Sequence, residues 1–243
     1  FNPTRTFKDR GSTVELTRAS ELGFDSVCCA STGNMGKSVA CYAARAGLNC
    51  TIFVPKNTAK EKIEAIKRFG SKVVRRGKDY NEALQLCEKF SKENNSYMVG
   101  DFPFRGEGQK SVGFEIAEQF GFTSPDYIIC PMGNGTLIYS IYDAFRDFWK
   151  VGLVNKIPKL IGIQAEGCCP IVKAFEKGLD YVERFKKART VASAINVPFP
   201  IDGAKALEAV RKSRGFVGKV SDKMLAEIKE ELAKREGIIA SYA

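Results

Sequence analysis

The residues best suited to chemistry in this chain lie in three short stretches. FNPTRTFKDRG, at the start, carries Lys8 with Asp9 and Arg10 directly behind it. STGNMGKSVA and PMGNGTLIYS each combine glycines with hydroxyl and amide side chains. The sequence contains no histidine, so the commonest general base is missing and acid–base work falls to Lys, Asp, Glu, Tyr or Cys. A lysine among charges reads in two ways. It is a solvated surface group, as most lysines are, or an amine that turns nucleophilic once it is taken out of water.

The two glycine-bearing stretches follow apolar runs and precede helical patterns, the place where parallel α/β sheets collect ligands. Gly133-Asn134-Gly135-Thr136 reads as a phosphate cradle: glycines let the backbone approach, and free N–H groups at the next helix start face an anion. Thr136 would add a hydroxyl donor. A plain strand-to-helix turn is the other reading of the same four residues. GNMGKS ends like a nucleotide-binding P-loop, but the motif's first glycine is replaced by Ser31. No later strand ends in the acidic residue that would hold Mg²⁺.

The elements that must position these loops follow from periodicity. DSVCCA, CTIFVP, SKVVRR, SYMVG, YIICPM and LIGIQA are short apolar runs that read as strands. Helical patterns lie between them, over about 35–47, 60–70, 80–94, 108–121 and 137–150, with a further helix after INVPFPIDG and a last one over about 221–235. Gly47, Gly70 and Gly121 fall where helix C-cap glycines belong. This alternation predicts two α/β domains, each an open, mostly parallel sheet flanked by helices. The smaller is expected over 11–100 with the STGN loop, and the larger over 101–243 together with 1–10. The closing GIIASYA reads as a strand without a partner. With no initiator Met, the sequence reads as part of a longer chain.

Composition narrows the function classes. The 243 residues are 44% hydrophobic and 27% charged, with a net charge of +10. The basic residues are interleaved with acidic ones, as in KNTAKEKIEAIKR, so they form solvated helix faces and not a nucleic-acid stripe. No segment approaches the roughly 20 apolar residues of a membrane span. Eight cysteines show no C-x-x-C spacing and several sit in apolar runs, which suits a reducing, cytosolic compartment. Without histidine no metal site is expected.

Taken in order, NPTRTFKDRG, CASTGNMGKSVA, FRGEGQKS and PMGNGT resemble the pyridoxal-phosphate enzymes of the tryptophan synthase β-subunit fold, over nearly the whole chain. Within that group the likeness is strongest to the lyases that convert O-phosphohomoserine and water to threonine and phosphate. The resemblance implies that Lys8 links to the cofactor aldehyde and then moves protons. It implies that Asn34 bonds the cofactor's ring oxygen and that Gly133, Asn134, Gly135 and Thr136 bind its phosphate. Ser31 and Thr32 would take the substrate carboxylate and Arg105 the substrate phosphate, with Lys110 also on the substrate side. A small amino-acid substrate and a homodimer are the implied partners, with the cofactor in the cleft between the domains.

The chain departs from the family's N-P-T-G-S-F-K-D-R-G at Arg5 and Thr6, and from related patterns at Met35, Gly36, Phe102 and at Leu137 or Thr136, depending on where the gap falls. Two other readings stay open. One is a threonine or serine dehydratase, or a synthase acting on O-phosphoserine. The other, from a different class, is a non-catalytic or nucleotide-binding module that would depend on Lys37.

Overall fold

The computed structural model describes residues 2–31, 33–100 and 103–243. They form two compact units, Phe1–Gln109 and Lys110–Ala243. The first runs α1 (Lys8–Glu21), β1 (Ser26–Ala30), α2 (Asn34–Ala46), β2 (Asn49–Val54), α3 (Lys60–Lys67), β3 (Lys72–Arg75), α4 (Tyr80–Glu93), β4 (Tyr97–Met98) and the first turns of α5 (Pro103–Gln119). Its strands are parallel, in the order β3-β2-β1-β4.

β1 and β2 are central, and helices cover both of their faces. Val27, Cys29, Ile52 and Val54 point to one side, where they pack with Val39, Ala40 and Ala43 of α2 and with Leu16 and Ala19 of α1. Cys28, Ala30 and Phe53 point to the other, against Ala83 and Cys87 of α4. That is why SVCCA and CTIFV are continuous apolar runs and not alternating ones. All eight cysteines are free thiols and all but Cys41 are buried. Burial alone pushes the Cys130 thiol up to about 12, so it packs as a small hydrophobe.

The second unit continues α5 and adds β5 (Tyr127–Pro131), α6 (Thr136–Lys150), β6 (Lys159–Ala165), α7 (Pro170–Glu176), α8 (Gly203–Lys212), β7 (Phe216–Val220) and α9 (Asp222–Glu236). Its parallel sheet has the order β5-β6-β7. Ile138, Ile141 and Phe145, spaced along one stripe of α6, pack on Leu160, Ala206, Leu207 and Val210 to form the main core. Two strand-to-helix junctions, β1–α2 and β5–α6, carry the two glycine-bearing loops.

The six apolar runs expected as strands within the two sheets are all present. β7 was not foreseen, because FVGKV is a half-exposed edge strand with a central glycine. α1 was not foreseen either: its buried face consists of Asp9, Gly11, Ser12, Glu15, Leu16 and Ala19, largely polar, so apolar periodicity is missing. α1 draws residues 1–10 into the first unit, and the boundary falls inside α5 and not ahead of it. GIIASYA forms no strand; Tyr242 instead packs beside Ala165, Ala192 and Ile195. Gly47, Gly70 and Gly121 all take positive φ just past helices. Among the described residues, no helix is long and apolar enough to cross a membrane.

Phe145 is fully buried in the core of the second unit. Phe145→Ala is expected to destabilise by about 3–5 kcal/mol, read as a lower denaturant midpoint at unchanged slope.

Candidate active site

Lys8 is the first residue of α1 and is half-buried, its Nζ 4.7 Å from the centre of the Phe7 ring. The turn that delivers it is fixed by the next residue. The Asp9 carboxylate, fully buried in the first helical turn, accepts the Thr4 N–H at 2.7 Å and the Thr4 hydroxyl at 2.6 Å. A carboxylate at a helix N-terminus also meets the favourable end of the peptide dipoles. Between these anchors Arg5 has φ of 60°. The family pattern quoted above has glycine there, so the departure places a side chain in left-handed backbone.

The loop after β1 is held by Ser31. Its Oγ accepts from the N–H of Gly33 at 3.3 Å and of Gly36 at 2.9 Å. A Cβ on residue 36 would lie 2.8 Å from the Ser31 carbonyl oxygen, so the glycine found there is required by the loop's tightness. Asn34 is exposed at the first residue of α2. Thr32 and Phe102 lie outside the described residues. Lys37, the lysine of the P-loop near-match, donates to the Thr4 carbonyl at 3.3 Å and so ties this helix to the Lys8 turn. Ser38 donates to Ser12 Oγ at 2.8 Å, joining α2 to α1 a second time.

The loop after β5 is a backbone cradle. No backbone N–H from Gly133 to Thr136 has a hydrogen-bond acceptor among the described residues, and the first turn of α6 holds no acidic residue. Gly135 caps the helix with φ of 95°, and a Cβ there would meet Asp202 O and Ala206 Cβ at 2.9 Å. The side chains of the loop turn away, to a scaffold. Thr136 donates to Asp202 at 2.7 Å, Asn134 Nδ2 to the same carboxylate oxygen at 3.3 Å, and Ile201 N–H to Asn134 Oδ1 at 2.6 Å. Thr136 therefore offers an anion its N–H; its hydroxyl is committed to Asp202. Gln164, fully buried, props the strand end by donating to Met132 O at 3.2 Å while accepting from Ile171 and Val172.

The two cations expected near substrate are placed differently. Arg105 is fully buried, donating to Gly100 O at 2.9 Å, to Lys8 O at 3.3 Å and to Ser12 Oγ at 3.4 Å, with an ion pair to Glu15. Lys110 pairs with Asp147 at 2.9 Å and is 14% exposed. Asp9, Glu15 and Asp202 were not singled out in the sequence, because a lone carboxylate beside basic residues looks like a solvated charge. Among the described residues no group of three or more His, Cys, Asp or Glu could hold a metal ion.

Taken unit by unit, the first offers a lysine on a pinned helix start, which suits an aldehyde, and the second a loop of backbone amides, which suits a phosphate. A family model described as pyridoxal-phosphate dependent enzyme matches residues 1–243, and the chain belongs to that family. Its cofactor is pyridoxal phosphate, and the donors present fit that group. Two relatives are named threonine synthase. That of Methanocaldococcus jannaschii is 40% identical over 244 residues, covering 100% of this chain and 60% of the relative. That of Methanosarcina acetivorans is 41% identical, covering 98% and 59%. The chain thus spans about 60% of the length of these relatives. Maize serine racemase has a similar fold, with TM-score 0.86 at 19% identity over 99% of this chain and 70% of the other. Tomato (Solanum lycopersicum) threonine deaminase isoform 2 gives 0.82 at 23%, over 98% and 66%.

Two measurements follow from this geometry. Arg5→Gly should be neutral or stabilising by up to about 1 kcal/mol, since it removes left-handed strain, whereas Arg5→Val should destabilise by about 1–2 kcal/mol; thermal unfolding of both variants decides. Asp202→Ala releases Thr136 and Asn134 together and is expected to raise the pyridoxal phosphate dissociation constant about tenfold. An unchanged constant would mean the amides hold their places without Asp202.

Proposed function

We propose that the chain carries out the threonine synthase reaction, converting O-phospho-L-homoserine and water to L-threonine and inorganic phosphate. The observation that carries this reading is identity of 40% and 41%, over essentially the whole chain, to proteins that bear that name. In this reading the roles are divided as follows. With no histidine in the sequence, Lys8 is the amine that joins the cofactor and then removes and returns protons at the substrate carbons. The N–H groups of Gly133, Asn134, Gly135 and Thr136 hold the cofactor phosphate. Asn34 orients the ring through its oxygen, and Ser31 and Thr32 receive the substrate carboxylate. Bound there, pyridoxal phosphate supplies the electron sink that makes those carbons acidic.

One observation favours a second reading, a threonine or serine dehydratase. Arg105 and Lys110, the cations expected for a substrate phosphate, are each already paired with a carboxylate. A phosphorylated substrate would have to compete with Asp147 for Lys110.

Incubation of the full-length holoenzyme with O-phosphohomoserine should yield threonine and phosphate in equal amounts. Lys8→Ala should lose both by about a thousandfold or more. Ammonia and a 2-oxo acid from threonine or serine, without turnover of O-phosphohomoserine, would replace this reading by the dehydratase.

A further inference from the structure

We infer that the buried Arg105–Glu15 pair is a positioning device for Lys8, acting through the backbone of α1 and not by touching substrate. This rests on the reading of Lys8 as the cofactor-linked amine. The guanidinium uses all three of its nitrogens on the protein: Nε on Gly100 O, one terminal nitrogen on Lys8 O, the other on Ser12 Oγ and Glu15. Glu15 closes the circuit by accepting the Gly100 N–H at 3.1 Å. Both groups of that one peptide-bonded residue are therefore gripped, its donor by the acid and its acceptor by the base. Ser12 passes the restraint on, since it also accepts from Ser38 of α2. The Lys8 carbonyl belongs to the residue whose side chain does the chemistry, so holding it fixes the root from which Nζ is aimed.

Packing leaves this arrangement no slack. A Cβ on Gly108 would lie 2.2 Å from Arg10 O, and one on Gly11 would lie 2.8 Å from Arg105 Cγ. α1 and α5 therefore touch backbone to backbone where Arg105 crosses. A planar, five-donor fork can serve four separate acceptors at once; an ammonium cannot. The side chain is also 0% exposed, which leaves no nitrogen facing solvent for a substrate phosphate.

The test compares full-length holoenzymes: wild type, Arg105→Lys, Glu15→Gln and the apolar double variant Arg105→Met/Glu15→Leu. Three readouts are taken: the unfolding midpoint, the ratio of circular dichroism to absorbance in the cofactor's visible band without substrate, and kcat and KM for O-phosphohomoserine. Arg105→Lys and Glu15→Gln are expected to alter the band ratio and lower kcat about tenfold or more, the scale of a small misplacement of a reacting group. KM should change less than about twofold. The double variant should regain the unfolding midpoint but keep the altered band and the low kcat. A raised KM in Arg105→Lys with an unaltered band would overturn the inference in favour of a substrate clamp. Recovery of band and kcat in the double variant would reduce the pair to a structural role. If Glu15→Gln does not fold, Arg105→Lys decides alone. A wild type without any cofactor band would instead remove the cofactor role of Lys8, and the inference with it.

Discussion

Glu15 is a carboxylate buried to 2% exposure inside the first unit, and a buried charge is tolerable only when it is paired and its remaining lone pairs are bonded. Much of the local architecture follows from meeting that demand. The partner must reach across from another element, which Arg105 does from α5. The second carboxylate oxygen needs a donor, which the Gly100 N–H supplies. Removing one member of such a pair typically costs about 3–5 kcal/mol, whereas replacing both by apolar groups can be neutral. The pair therefore earns its place by geometry more than by net stability. It holds α1 in one register against α5, and Lys8 begins α1.

The two units solve the ligand problem in different ways. In the first, side chains brace the backbone: Asp9 holds Thr4, Ser31 holds the amides of Gly33 and Gly36, Lys37 holds the Thr4 carbonyl. In the second, the side chains of the glycine loop serve as scaffold for its backbone. Asp202 holds the side chains of Thr136 and Asn134, and the N–H groups of Gly133 to Thr136 meet no acceptor among the described residues. An anion near Asp202 would be repelled, but Lys205, 3.6 Å from its other oxygen, offsets that charge. Backbone amides suit a phosphate that must be held throughout turnover, since they are fixed by the fold and need no rotamer to be frozen on binding.

What could be read from the sequence divides along the same physical line. Elements built on apolar burial were legible. β1, β2 and β6 are continuous apolar runs because most of their residues are buried, β5 is equally apolar although Tyr127 and Ile129 are exposed, and α6 shows its stripe at helical spacing. Both glycine loops were legible as strand-to-helix junctions because an apolar run precedes each. Elements built on polar burial were not. α1 hides Asp9, Ser12 and Glu15, so the side that faces inward looks like one that faces water. Arg105 was read as a substrate clamp because guanidinium chemistry suits phosphate. Its commitment to Glu15, ninety residues earlier in the chain, is a long-range fact that no local pattern encodes.

The P-loop near-match makes the same point from the opposite side. GNMGKS has the right residue types for a nucleotide cradle, and α2 does begin directly after a glycine. What separates the two chemistries is where the lysine goes. In a P-loop it reaches the phosphates; here Lys37 turns back to the Thr4 carbonyl, on the segment that Asp9 already holds. A lysine used as an internal strut is unavailable to a nucleotide but stiffens the turn preceding Lys8. The residue that makes the motif look like one function thus supports another, and the distinction lies in the acceptor it meets and not in its spacing.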